Sequence, residues 1–394
     1  MLSGHASIAV QPDTTGSALA AFSFKKPVPT TPPLERFPGE FLARLRTIEG
    51  NTRTVALQSG REVCYFDESP TGKAAAEEAN GEAAGESKAP ASTSSSSPAS
   101  AASLPVVVCL HGGGQSKELW MQPEPVPNCR IIAIDRIGSG GSSPQPVPYP
   151  FSLLVQEIGE FLDKIGVGQF FLVGHSIGGG CAQSVAAGLG AERVLACASI
   201  SGQCDLYHAT GPRYGTKEWK ALTSSPMVAK ACGSQAGCWG GCIRHCILKK
   251  LLGSMMYAAH KDRDFGFAGL YTDSMRKGDG GGERTWSAMD ANLFFVSVQL
   301  YSTMHGGVDT LTPLGDIWRA HAPWDIDVSD YKGPMFIYNG KVEITKAVQA
   351  EQIHRAVPQS QLNIMDGHGH TTIMMEAPGI IQALIKGEMA AMAF

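Results

Sequence analysis

The sequence predicts an α/β fold, a mostly parallel central β-sheet flanked by helices and interrupted once by a helical insertion. Short segments apolar at every position, such as VVVCL and RIIAI, recur along the chain, and strands buried on both faces read this way. Segments with apolar residues at helical spacing lie between them, so strand and helix alternate as a sheet with crossover connections requires. The alternation stops over residues 203–325 and resumes at residue 334.

Taken in order, residues 1–38 are expected to form a flexible leader: residues 1–35 hold five prolines and show little periodicity. Residues 53–67, RTVALQSGREVCYFD, are two alternating runs parted by Ser59-Gly60, the pattern of a β-hairpin. Residues 68–103 consist mainly of Ala, Ser, Glu, Gly and Pro; they carry too little apolar area to offset ordering and predict a disordered insertion. Strands follow at 104–110, 130–134, 169–173 and 194–200, with helices over 152–166 and 181–193. These complete a first core segment, 39–202. Residues 203–325 are rich in Cys, Met, Trp and Gly, hold no clear strand, and include helix-like runs at 243–260 and 288–304, so they read as a lid. The second core segment, 326–394, supplies strands at 334–340 and 361–365 and helices near 347–357 and 379–392.

Composition excludes several classes. The chain has 394 residues with 43% hydrophobic and 17% charged, enough for a large core. A formal charge of −4 and the absence of Lys/Arg runs argue against nucleic acid as a partner. No uninterrupted apolar stretch of about 18 residues appears, so no transmembrane segment is expected. The N-terminus lacks the basic start and compact apolar run of a secretory signal; a cytoplasmic protein is expected, with a weak organelle transit peptide as the alternative. Ten cysteines in this length are too sparse for a disulfide scaffold. Cys232, Cys238, Cys242 and Cys246 are denser, and the last three share one helix face beside His245; a packed face, a metal site and a modified or redox-active group all remain open. Composition does not fix the oligomeric state.

The strongest chemical signal is Gly174-His175-Ser176-Ile177-Gly178, set between an apolar strand and a helix. A nucleophilic serine must project its oxygen from a sharp strand-to-helix turn, and such a turn tolerates only very small residues two positions to either side. In that context the segment resembles the nucleophile elbow of the α/β-hydrolase superfamily. LPVVVCLHGGG is similar to the family's third strand and the loop after it, which implies an oxyanion hole built from the backbone N–H of Ile177 and that of Gly113 or Gly114. IIAIDRIGSGGSS resembles the segment that ends the fourth strand, and there Asp135 and Arg136 are read as shaping a loop rather than as catalytic. The resemblance covers residues 40–68, 104–202 and 326–394 and matches the lid to no subfamily.

The same resemblance places a histidine late in the chain. DGHGHTT offers His368 and His370, and counting from strand 361–365 favours His370 as base. The acid is expected after PMFIYNG, where Glu343 stands at a position usually held by Asp; Asp366 and Asp330 compete. A glutamate can orient an imidazole as an aspartate does. The resemblance therefore implies a serine hydrolase with a Ser176–His370–Glu343 triad, acting on a small-molecule acyl substrate through an acyl-enzyme. It requires neither metal nor organic cofactor. A carboxylic ester is the expected bond, with an amide or peptide as alternative, and a ligand receptor with little turnover is the reading from another class.

Overall fold

The computed structural model describes residues 34, 37–69, 104–144, 149–223, 292–306, 316, 319–342 and 344–389. Most of the leader, the insertion from residue 70 to 103, the centre of the expected lid with its four cysteines, and Glu343 lie outside the described residues.

Eight strands form one sheet in the order β1-β2-β4-β3-β5-β6-β7-β8. They are β1 (Thr52–Ala56), β2 (Glu62–Glu68), β3 (Val106–Leu110), β4 (Arg130–Ile134), β5 (Phe170–His175), β6 (Val194–Ile200), β7 (Met335–Gly340) and β8 (Gln361–Met365). The expected hairpin is β1–β2, antiparallel with Thr52 opposite Phe66 and Ala56 opposite Glu62, and Gly60 turns it at φ 77°. β2 pairs antiparallel with β4, and every later pairing is parallel. The apolar runs read as central strands are central: Val107, Val108, Cys109 and Leu110 of β3 are all fully buried.

Seven described helices cover the sheet: α1 (Gly39–Gly50), α2 (Phe151–Lys164), α3 (Ile177–Leu189), α4 (Lys217–Ala221), α5 (Leu293–Gly306), α6 (Ile344–Ala356) and α7 (Ala377–Lys386). One core joins α2, α3 and α6 to the sheet, through residues such as Leu154, Ile158, Val185 and Ile353. The other joins α1, α5 and α7 to the opposite face, through Phe41, Leu45, Phe294, Ile380 and Leu384. Each large apolar side chain buried in these layers contributes about 1.5–3 kcal/mol relative to exposure.

α1 has no counterpart in the sequence reading. Its Phe41, Leu45 and Ile48 recur at helical spacing and are buried, but it lacks a side-chain N-cap and follows Pro38. Phe37, just before it, is also buried and stacks on Phe41 with ring centroids 4.9 Å apart. α5 comes from the helix-like run expected in the lid. It packs against α1, with Phe294 and Tyr301 meeting the ring of Phe41 at 5.9 and 5.7 Å.

Six cysteines, Cys64, Cys109, Cys129, Cys181, Cys197 and Cys204, are buried and take part in no disulfide. Burial pushes the thiols of Cys64 and Cys129 up to about 11, with the Asp135 charge adding at Cys64 and the Glu68 charge at Cys129. Among the described residues no helix is long and apolar enough to cross a membrane.

Candidate active site

The strand order reverses around β3: β4 lies on one side of it and β5 on the other. Crevices form outside the carboxyl ends of parallel strands at such a reversal. The loop after β3 carries His111–Gly114, and the turn after β5 carries Ser176. The chain leaving β7 leads to position 343, and the loop after β8 carries His370.

Ser176 sits at φ 58° and ψ −123°, a region that side chains rarely occupy and that costs about 1–3 kcal/mol. The turn is held from both sides: Ser176 N–H donates to Ile200 O at 2.9 Å, while the N–H groups of Gly179 and Gln203 donate to Ser176 O at 2.9 and 3.1 Å. The flanking glycines are compulsory here. A Cβ on Gly174 would fall 2.0 Å from Gly178 O, and one on Gly178 would fall 2.4 Å from both Leu110 O and His111 O.

Ser176 Oγ and His370 Nε2 stand 3.0 Å apart. The His370 side is fixed by its neighbour: His175 Nε2 lies 2.9 Å from His370 O, and because a carbonyl only accepts, that nitrogen carries the proton. The two rings tilt against each other at 4.8 Å. His368 goes elsewhere, its Nε2 3.6 Å from a Glu376 carboxylate oxygen. Asp366 pairs with Lys341 at the surface and Asp330 is exposed. Glu343 lies outside the described residues, but Val342 N–H donates to His368 O at 3.2 Å, so the chain entering position 343 runs beside the histidine loop.

The glycine loop after β3 touches the elbow. A Cβ on Gly112 would lie 3.2 Å from Ser176 Cβ, and one on Gly113 would lie 2.7 Å from Ile177 Cδ1. Gly114, at φ 66°, faces open space. Below the loop, Arg136 is 1% exposed; its Nε donates to His111 O and one Nη to Gly112 O, both at 3.0 Å. Its two Nη groups also meet the carboxylate of Asp316 at 2.8 and 2.9 Å, and Arg319 donates to the same carboxylate. Burial by itself would raise the Asp316 carboxyl, but the two guanidinium groups overcome it and hold the group well below the usual range. Arg136 N–H donates to His111 Nε2 at 3.0 Å, which puts the imidazole proton on Nδ1, 2.8 Å from Gly112 O. Burial, aided by the Arg136 charge, pushes His111 down to about 3 and keeps it neutral.

A second buried cluster follows in the same loop. Lys117 Nζ meets Asp135 at 3.0 Å and Glu118 at 2.8 Å, and Glu118 accepts from Ser116 Oγ at 2.5 Å and meets His305 Nδ1 of α5 at 3.1 Å. Asp135 also accepts from the backbone N–H groups of Lys117 and Gly141, at 2.7 and 2.9 Å. Burial opposes a charge on His305, yet the hydrogen bond and charge of Glu118 raise its pKa above the ordinary histidine value. Neither Asp316 nor His305 was a candidate from sequence, since nothing local marks a partner 180 or more positions away. Among the described residues no group of three His, Cys, Asp or Glu side chains is placed to share a metal ion.

Residues 105–220 match the family profile described as alpha/beta hydrolase fold. A thermophilic esterase from Thermogutta terrifontis superposes with a TM-score of 0.52 at 16% identity, covering 85% of this chain and 97% of that one. An alpha/beta hydrolase fold protein from Nakamurella multipartita gives 0.51 at 13%, covering 85% and 99%. At such identities the likeness is one of fold. A curated relative, the dihydrolipoyllysine-residue acetyltransferase component of an acetoin cleaving system from Cupriavidus necator, is 31% identical over 97 residues. That stretch is 24% of this chain and spans about a quarter, 26%, of the relative.

Proposed function

The chain is an α/β-hydrolase-fold protein, and from that premise we propose that it is a serine hydrolase cleaving a small acyl substrate, first of all a carboxylic ester. The observation that carries the proposal is the 3.0 Å approach of His370 Nε2 to the oxygen of Ser176, on a residue held at positive φ. Those are the hydrogen-bond reach and the strained elbow that an activated serine needs.

In this reading His370 takes the Ser176 proton as the oxygen attacks the carbonyl carbon. The negative charge that develops falls between the backbone N–H groups of Ile177 and Gly113; the approach of Gly113 to the Ile177 side chain favours it over Gly114. His370 then protonates the leaving alcohol, and the acyl-enzyme remains on Ser176. Water repeats the sequence and regenerates the serine. Glu343 orients the imidazole and stabilises its cationic form without accepting its proton. Residues 203–325 act as the lid that shapes the acyl pocket.

A fluorophosphonate probe tests the proposal. Labelling of the wild type that vanishes in Ser176→Ala is the expected result, and a folded wild type that resists labelling and cleaves no ester would overturn it in favour of a receptor. p-Nitrophenyl esters of graded chain length beside aminoacyl anilides then separate ester from amide cleavage.

A further inference from the structure

A trans peptide points its C=O and N–H in opposite directions. The carbonyl of Gly112 and the N–H of Gly113 belong to one such peptide, so whatever holds the first aims the second. Two donors hold it here: Arg136 Nη at 3.0 Å and His111 Nδ1 at 2.8 Å. Arg136 holds the preceding carbonyl as well, with Nε on His111 O at 3.0 Å. Its fork is in turn fixed bidentately by Asp316, which arrives from the segment between the two halves of the core. All four groups are buried: His111 and Arg136 are 0% and 1% exposed, Asp316 is 1% exposed, and Gly112 is buried with them.

We propose that Arg136 is a positioning residue for the reaction: clamped by Asp316, it turns the Gly112–Gly113 peptide so that the Gly113 N–H faces the oxygen formed on attack by Ser176. The inference rests on the serine hydrolase reading above. It follows from the planarity of the guanidinium, whose five donors lie in one fork. That fork reaches two successive carbonyls and a carboxylate at once. An ammonium at the same place could keep the charge but not the plane. A charged donor on the carbonyl also polarises the peptide and strengthens its N–H as a donor. Through Asp316, the geometry of the oxyanion hole becomes dependent on the seating of Asp316 itself, which Arg319 also holds.

The test uses Arg136→Lys and Asp316→Asn in the full chain, with three readouts. For Arg136→Lys, kcat on a p-nitrophenyl ester is expected to fall about tenfold or more while KM stays within about threefold, because the affected interaction belongs to the transition state. Inhibition by a phenylboronic acid, whose tetrahedral adduct places an oxygen where the oxyanion forms, is expected to weaken in proportion to kcat. A crystal structure of the variant is expected to show the Gly112–Gly113 peptide rotated. Asp316→Asn should move all three in the same direction by less, and it carries the test if Arg136→Lys does not fold. A folded variant with unchanged kcat and boronate affinity overturns the proposal, as does a fall in kcat with the peptide unmoved. A wild type that neither cleaves esters nor takes the fluorophosphonate overturns the hydrolase reading instead, and the peptide orientation in the variant still decides the clamp.

Discussion

Ser176 and His370 are 194 positions apart in sequence and 3.0 Å apart in space, and two different strand ends bring them there. Ser176 leaves β5 in a turn that fixes its oxygen outward, and His370 leaves β8 in a loop whose carbonyl rests on His175. The neighbouring histidine of that loop turns instead towards Glu376.

That difference predicts unequal effects. Ser176→Ala and His370→Ala should each lower kcat by several orders of magnitude, leaving only the contribution of binding and the oxyanion hole. His368→Ala should retain most of the activity. Steady-state kinetics on one p-nitrophenyl ester checks the ranking, and a His368→Ala loss larger than that of His370→Ala would reverse the assignment.

Glu343→Gln keeps the size of the side chain and removes its charge. If this residue orients His370, kcat should drop by about 10³–10⁴-fold with KM little altered. Asp366→Asn and Asp330→Asn, at exposed positions, should leave kcat within about twofold, since surface substitutions away from the chemistry rarely do more.

The elbow glycines should accept no side chain. In Gly174→Ala the new Cβ meets backbone, Gly178 O at 2.0 Å, so the strand-to-helix turn must open. Activity should fall at least about 100-fold, in line with the cost of displacing a nucleophile by an ångström. Gly39→Ala, with nothing near its Cβ, should leave activity at the wild-type level. Assaying both variants beside their thermal melts distinguishes a moved nucleophile from a lost fold.

The contact of His305 with Glu118 predicts a pH dependence of stability. His305 faces Glu118 and Lys117 from the loop after β3, Asp135 from the end of β4, and Tyr301 on its own helix. A histidine whose pKa is raised on folding stabilises fully below its unfolded value, 6.5, and loses that contribution as pH rises through the folded value. The urea midpoint should therefore decline from pH 6.5 upward. In His305→Gln this decline should flatten, and parallel slopes in the two proteins would rule out the contribution.

What was readable in advance depended on sequence distance. Val106–Leu110 and Ile131–Ile134 announce themselves as central strands because every position is apolar, and Ser59-Gly60 marks its turn locally. The glycine pattern around Ser176 likewise reports a backbone requirement that local sequence must meet. α1 is hard to read because a short apolar stripe, Phe41, Leu45 and Ile48, that follows a proline and lacks a cap carries a weak local signal; its helix is secured by α5 and the sheet. The buried charges were opaque for the same reason: Arg136 looks like any loop arginine until Asp316, 180 residues on, meets it. His305 and Glu118 are separated by 187 positions and share no motif.

The six cysteines sealed within the sheet and its covering helices bear on how the chain can be labelled. Iodoacetamide reacts with thiolates that it can reach; all six are buried, and burial raises the thiol pKa at Cys64, Cys109, Cys129, Cys181 and Cys197. Of the ten cysteines, that leaves Cys232, Cys238, Cys242 and Cys246 as the sites where alkylation under native conditions is to be sought. Mass spectrometry of the alkylated chain thus reads that quartet with no background from the core, and uptake at any of the other six becomes a direct gauge of unfolding.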